Sequence, residues 1–177
     1  FYCSDPIMRG DLVFFHRTNF PFEWNTMKNL KGLNVGATLG YFYGRAFEKA
    51  EKKQIFHVFR LPDDRANFIN LMRGRTQLFP EDKLVGYAMI KKLFPEKDWT
   101  KLTNSSKPLH TQSLYLVFPR VNKRSQRLLR IFNKGLEKMK KDGELAGYLK
   151  AMTDGVYGRG GEYHPSAQIL KGLAHSE

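Results

Sequence analysis

The sequence predicts an α/β fold built on a mainly parallel sheet. Three observations point that way. Between residues 30 and 94, short β-branched or aromatic runs alternate with stretches of helical period. The connections are a few residues long, which suits crossovers between neighbouring parallel strands. The helices in that span open at a glycine or an acid, the chemistry that starts a helix at a strand end.

Taken in order, residues 11–17 are β-branched and aromatic and read as a strand. Residues 18–29, with Pro21, Trp24 and Asn25, read as a loop. A strand at 33–37 leads through Gly40 into a helix over 41–53, with Phe42, Ala46 and Ala50 on one face. A strand at 55–59 follows. Pro62, Asp63 and Asp64 start the next helix, which buries Phe68, Leu71 and Met72 and stops at Gly74. A strand at 76–79 precedes a helix over 82–93 whose apolar set is Leu84, Val85, Ala88 and Met89. Residues 97–108 are polar loop with a short strand near Leu102, and 112–118 form a strand stopped by Pro119. The longest helix spans 122–141. Leu128, Leu129, Ile131, Phe132, Leu136 and Met139 make its apolar stripe, and eight Lys or Arg side chains cover the rest. A short helix over 144–152 and a glycine-rich tail over 153–177 complete the chain.

With 41% hydrophobic and 14% aromatic residues, 177 residues can bury a core and are not a disordered segment. The formal charge of +13 invites acidic partners, but its distribution argues against a nucleic-acid or lipid surface. Residues 1–30 are neutral, and about +7 and +6 fall on 31–111 and 112–177, mostly on expected solvent faces of helices. Cys3 is the single cysteine, so neither an internal disulfide nor a thiolate metal site can form. His16, His57, His110, His164 and His175 lack ligand spacing, so no metal or other cofactor is expected. No nucleophile-base-orienter set emerges, and no catalytic residue is assigned. Phe1 to Ile7 reads as the end of a strand and a turn, which suggests an upstream portion.

The order of motifs is more specific than any one of them. Leu-Lys-Gly-x-x-Val-Gly over 30–36 is followed by Gly40, then by Gly-Arg with an acid at Asp82. A Leu-Tyr-Leu-Val-Phe strand over 114–118 and Phe-Asn-x-Gly-Leu-x-x-Met-Lys-x-Asp-Gly over 132–143 complete the series. This resembles the bacterial extracellular (periplasmic) solute-binding proteins of the polar amino acid type, the capturing subunits of ABC importers. The resemblance covers about residues 5 to 152. It implies a type II periplasmic-binding-protein fold, in which two α/β lobes joined by crossing strands close on the ligand like a hinge. Residues 1–30 would be the end of the first lobe and the first crossing, and 31–111 the second lobe. Residues 112–152 would be the second crossing and returning first-lobe helices. The lobe's opening βα units would precede Phe1.

An apolar strand that breaks at glycine and opens into a helix favours an anion there, and a nearby carboxylate favours an ammonium. Such a pair of corners suits a zwitterion. The resemblance places Gly40 at the anion-binding turn, with Tyr41 and Phe42 where the family has Ser or Thr. It places Asp82 on the ligand ammonium and makes Gln77 a structural position. Ordinary turn chemistry at Gly40, and a plain helix cap at Asp82, are the alternatives. Tyr43 and Arg45 are further candidates. The implied function is non-enzymatic binding of a small polar, amino acid-like solute in the periplasm, with a membrane permease as partner. A periplasmic sensor domain and a basic nucleic-acid-binding domain are the competing readings. Without the first-lobe sheet, the long helix's stripe is expected to drive homodimerisation or pairing with a complementing N-terminal lobe.

Overall fold

A computed structural model describes residues 1–153, so the expected tail and His164 and His175 lie outside the described residues. The strands are β1 (Tyr2–Cys3), β2 (Met8–Arg17), β3 (Asn34–Thr38), β4 (His57–Leu61), β5 (Phe79–Asp82), β6 (Leu102–Asn104), β7 (His110–Leu114) and β8 (Val117–Phe118). The helices are α1 (Arg45–Lys52), α2 (Asp64–Met72), α3 (Lys83–Leu93), α4 (Ser125–Lys141) and α5 (Glu144–Thr153). The chain divides into two compact units, Phe1–Leu136 and a second starting at Glu137. In the second, Tyr148 donates to Glu144 Oε1 within α5.

β2 organises the first unit. It pairs antiparallel with β5 from Leu12↔Asp82 to Phe15↔Phe79. Its other edge carries β7 from Met8↔Leu114 to Leu12↔His110, and then β6 from Phe15↔Asn104 to Arg17↔Leu102. The parallel pairing is β3 on β4, extended by a Val35↔Leu78 bridge into the run that becomes β5. β1 pairs antiparallel with β8. Residues 8–12 of β2 and 110–114 of β7 therefore run side by side.

Because side chains alternate along a strand, β2 feeds two cores. Phe14 meets Phe22 and Trp24 edge-on and shares a cluster with Leu30, Val35, Phe47 and Leu78. Val13 and Phe15 face Phe68, Leu71, Phe79 and Ile90. Thus α1 packs with one cluster, and α2 and α3 with the other, which is why β2 is apolar on both faces. Residues 18–29 are more than a loop: Phe22 and Trp24 are core residues, and Met27–Leu30 is a 3-10 turn.

The α2 signals hold. Asp63 accepts the Ala66 N–H at 2.7 Å as N-cap, and Gly74 turns the chain at φ +76. Arg17 donates to the Leu71 and Thr76 carbonyls at 2.7 and 3.0 Å, tying the end of α2 to the approach to β5. Other expectations are corrected. The first helix begins at Arg45, not residue 41, and buries Phe47 and Ala50 with Tyr43 ahead of it, leaving Ala46 exposed. α3 buries Gly86 and Ile90 and leaves Val85 exposed. The expected 112–118 strand is two, β7 and β8. His16 is buried in β2.

Candidate functional site

The carboxyl ends of β3 and β5 come to one sheet edge. The parallel Val35↔Leu78 bridge fixes their register, so Thr38 and the residues after it run alongside Glu81 and Asp82. In open α/β sheets this edge is where ligands sit. β3 ends at Thr38, and Leu39 donates its N–H to the Leu61 carbonyl at 2.9 Å. Gly40 then adopts φ +78, a left-handed conformation that glycine takes without strain. The Thr38 N–H is capped at 2.7 Å by the Tyr43 hydroxyl, so the turn closes on its own side chain. Arg60 braces the same turn, donating to the Tyr41 carbonyl at 3.3 Å while Glu51 holds it bidentately at 2.7 and 3.1 Å.

Acids dominate the edge. The Thr38 hydroxyl donates to Asp64 Oδ1 at 2.6 Å, and Asn67 Nδ2 donates to the Thr38 oxygen at 3.0 Å. Asp82 Oδ1 caps α3, accepting the Leu84 and Val85 N–H groups at 2.9 and 3.2 Å. Glu81 is buried; its Oε1 accepts the Asp82 N–H at 2.7 Å, and its carboxyl pairs with that of Asp64. Burial pushes the Glu81 carboxyl up to about 7, the Asp82 N–H only partly offsets this, and the Asp64 and Asp82 charges add to the rise. Asp64 and then Glu81 also raise the Tyr41 phenol, with slight burial between them in weight. Tyr43 is raised first by its burial, with Glu81 and Asp64 acting the same way. Tyr41, Tyr43, Asp64, Glu81 and Asp82 therefore share one electrostatic neighbourhood.

Comparison with solved structures decides the fold. The chain aligns with a mutant of ArgBP from T. maritima at TM-score 0.64 and 22% identity, covering 86% of this chain and 62% of that one. It aligns with AbpA, an amino acid ABC transporter substrate-binding protein from Streptococcus pneumoniae bound to L-arginine, at TM-score 0.63 and 16% identity. That alignment covers 87% of this chain and 61% of AbpA. The ancestral amino acid-binding protein AncCDT-1, a precursor of cyclohexadienyl dehydratase, gives TM-score 0.63 at 18% identity, with 85% and 60% covered. The fold is that of type II periplasmic binding proteins. The chain spans about 60% of the length of these structures. No family model matches it, and no curated protein matches its sequence.

Within this periplasmic-binding-protein fold, Tyr41 follows the end of β3 and Asp82 closes β5, in the register that the Val35↔Leu78 bridge sets. Gly40 makes the turn, and Phe42 stands 70% exposed beside it. The anion corner differs from expectation. The helix starts four residues later, after Gly44 at φ +95, so its free N–H groups do not fan from Gly40. The Tyr41 N–H already bonds the Thr38 carbonyl at 3.2 Å. Tyr43, a candidate for ligand contact, is instead a buried prop, and Arg45 is exposed on α1. Gln77 is structural, its Oε1 accepting the Asn34 N–H at 2.8 Å. Asp82 keeps Oδ2 beside Gly10 while Oδ1 caps, so the cap does not exhaust it. Asp64 and Glu81 escaped sequence reasoning. The doubled acids Asp63-Asp64 and Glu81-Asp82 were the available signal, since one cap needs only one carboxylate.

Proposed function

We propose that the chain binds a small polar, amino acid-like solute, without catalysing a reaction, for delivery to an ABC permease from the periplasm. What supports this reading is the binding-protein fold together with the register that sets the end of β3, ahead of Gly40, alongside the end of β5 at Asp82. Asp82 Oδ2 would receive the solute ammonium and the turn would meet its polar end. Residues 31–111 would act as one lobe, and 1–30 with 112–152 as the crossings and part of the other. Ligand would then bias closure by its extra affinity for the closed form. The half-exposed Leu128 and Ile131 on α4 would pack on first-lobe sheet or on a second copy. A periplasmic sensor domain would use the same edge.

Two-dimensional NMR of the chain against an amino acid panel at millimolar concentration tests the proposal. Saturable shifts at Leu39, Tyr41 and the Asp82 neighbourhood are expected. Shifts confined to other surfaces, or none, would remove it.

A further inference from the structure

We infer that β4 is a docking edge for a second copy of this chain, the two β4 strands pairing antiparallel about Phe59. The inference is independent of the solute-binding reading, since it uses the side of a strand and not the strand ends. Among the described residues β4 pairs only with β3, so its other edge has no strand partner. The bonds to β3 fix which groups that edge presents. His57 donates its N–H to the Leu33 carbonyl at 2.9 Å, and the Leu61 carbonyl accepts the Leu39 N–H at 2.9 Å. Backbone groups alternate sides along a strand, so those of Phe59 also turn to β3, and those of Val58 and Arg60 turn outward. A surface hollow lined by Glu51, Gln54, Phe56, His57, Val58 and Phe59 runs along this free edge.

Exposed edges are usually blunted by proline, by a bulge or by outward lysine. β4 carries none of these between His57 and Leu61. Its one Lys or Arg, Arg60, is turned back onto α1, where Glu51 takes it at 2.7 and 3.1 Å and Glu48 stands at 3.5 Å. Phe59 is 47% exposed, an apolar ring on an unpaired strand.

Two features select a second copy as the occupant. The first is self-complementarity. In a two-fold antiparallel pairing centred on Phe59, Val58 of each copy meets Arg60 of the other, and their outward groups exchange hydrogen bonds. Phe59 then faces Phe59 at a non-hydrogen-bonded position, where side chains come closest, and His57 faces Leu61. The second is charge. β4 is entered from the exposed Lys52 and Lys53 and left through the exposed Asp63 and then Asp64. Antiparallel pairing sets the basic entry of one copy beside the acidic exit of the other, whereas parallel pairing sets like charges together.

The test is sedimentation velocity and amide hydrogen exchange of the chain over a range of concentrations, at physiological ionic strength so that its +13 charge is screened. A dimer is expected, with the Val58 and Arg60 amides gaining protection as it forms. Phe59→Lys and Phe59→Glu each set like charges opposite one another, and each should weaken dimerisation by about tenfold. An equimolar mixture of the two variants should restore the dimer, because opposite charges then face each other. Should either variant misfold, protection of the two amides in the parent decides alone. A monomer at every concentration, a dimer that neither substitution weakens, or a mixture that stays monomeric would overturn the inference.

Discussion

The Glu81 carboxyl is buried at the end of β5 with the Asp64 carboxylate facing it from the first turn of α2. Burial first, and then the Asp64 carboxylate, gives Glu81 a pH dependence of stability opposite to that of a salt-bridged acid. The Glu81 pKa is about 7 in the folded chain, against an ordinary 4.5. Between those values the folded state holds a proton that the unfolded state has released, so stability falls as pH rises through that window. The loss is on the order of 3 kcal/mol above pH 7. Glu81→Gln cannot ionise. Its urea stability should exceed the parent's at pH 8 and match it near pH 4. A parent-minus-variant difference that stays flat with pH would show that Glu81 ionises normally.

Tyr43→Phe isolates the prop under the turn. The substitution keeps the ring on Phe47, at 5.2 Å between centroids, and deletes only the hydroxyl. The buried Thr38 N–H then loses its 2.7 Å acceptor. An unpaired buried donor costs about 1–3 kcal/mol. The urea midpoint should drop with an unchanged slope, and the Tyr41 resonances should broaden or shift. A variant as stable as the parent would mean that the Thr38 N–H finds another acceptor.

Gly40 gives a third prediction, through backbone conformation alone. It sits at φ +78, and a Cβ there would meet nothing within 4 Å. Gly40→Ala should therefore cost about 1 kcal/mol from strain, while Gly40→Asn, which tolerates this region better, should cost less. Thermal midpoints of the two variants compare them directly. Equal midpoints would show that the turn relaxes out of the left-handed region.

What was legible in the sequence was local. Asp63 and Gly74 announce α2 because a cap and a stop act within a few residues. Asp82 reads as the start of α3 for the same reason. The α1 start was misplaced because its cause is tertiary. The strand end recruits Tyr43 into the core through Thr38, and Gly44 then resets the chain before the helix. Trp24 looked like a loop residue because nothing nearby reveals Phe14 as its partner. The acid pair is the clearest case. Thr38, Asp64 and Glu81 meet only once β3 and β5 are paired, so no spacing rule finds them. The order of motifs carried the fold, because chain order is what parallel crossovers preserve.

Gly86 offers the last prediction, because two principles oppose each other there. It lies inside α3, where alanine is normally favoured over glycine by about 1 kcal/mol. Yet a Cβ at Gly86 would stand 2.2 Å from Phe15 Cζ, and Phe15 is fully buried, edge-on to Phe68 and Tyr87. The ring cannot retreat without disturbing those contacts, so overpacking should win, at a net cost of about 1–3 kcal/mol. Phe15→Leu alone should also destabilise, by leaving a void. Together the two changes should cost less than their sum, because the shorter side chain vacates the space that the new methyl needs. Urea unfolding of the four proteins in this cycle measures the coupling. Strict additivity would mean that α3 slides away from β2 instead of pressing on Phe15.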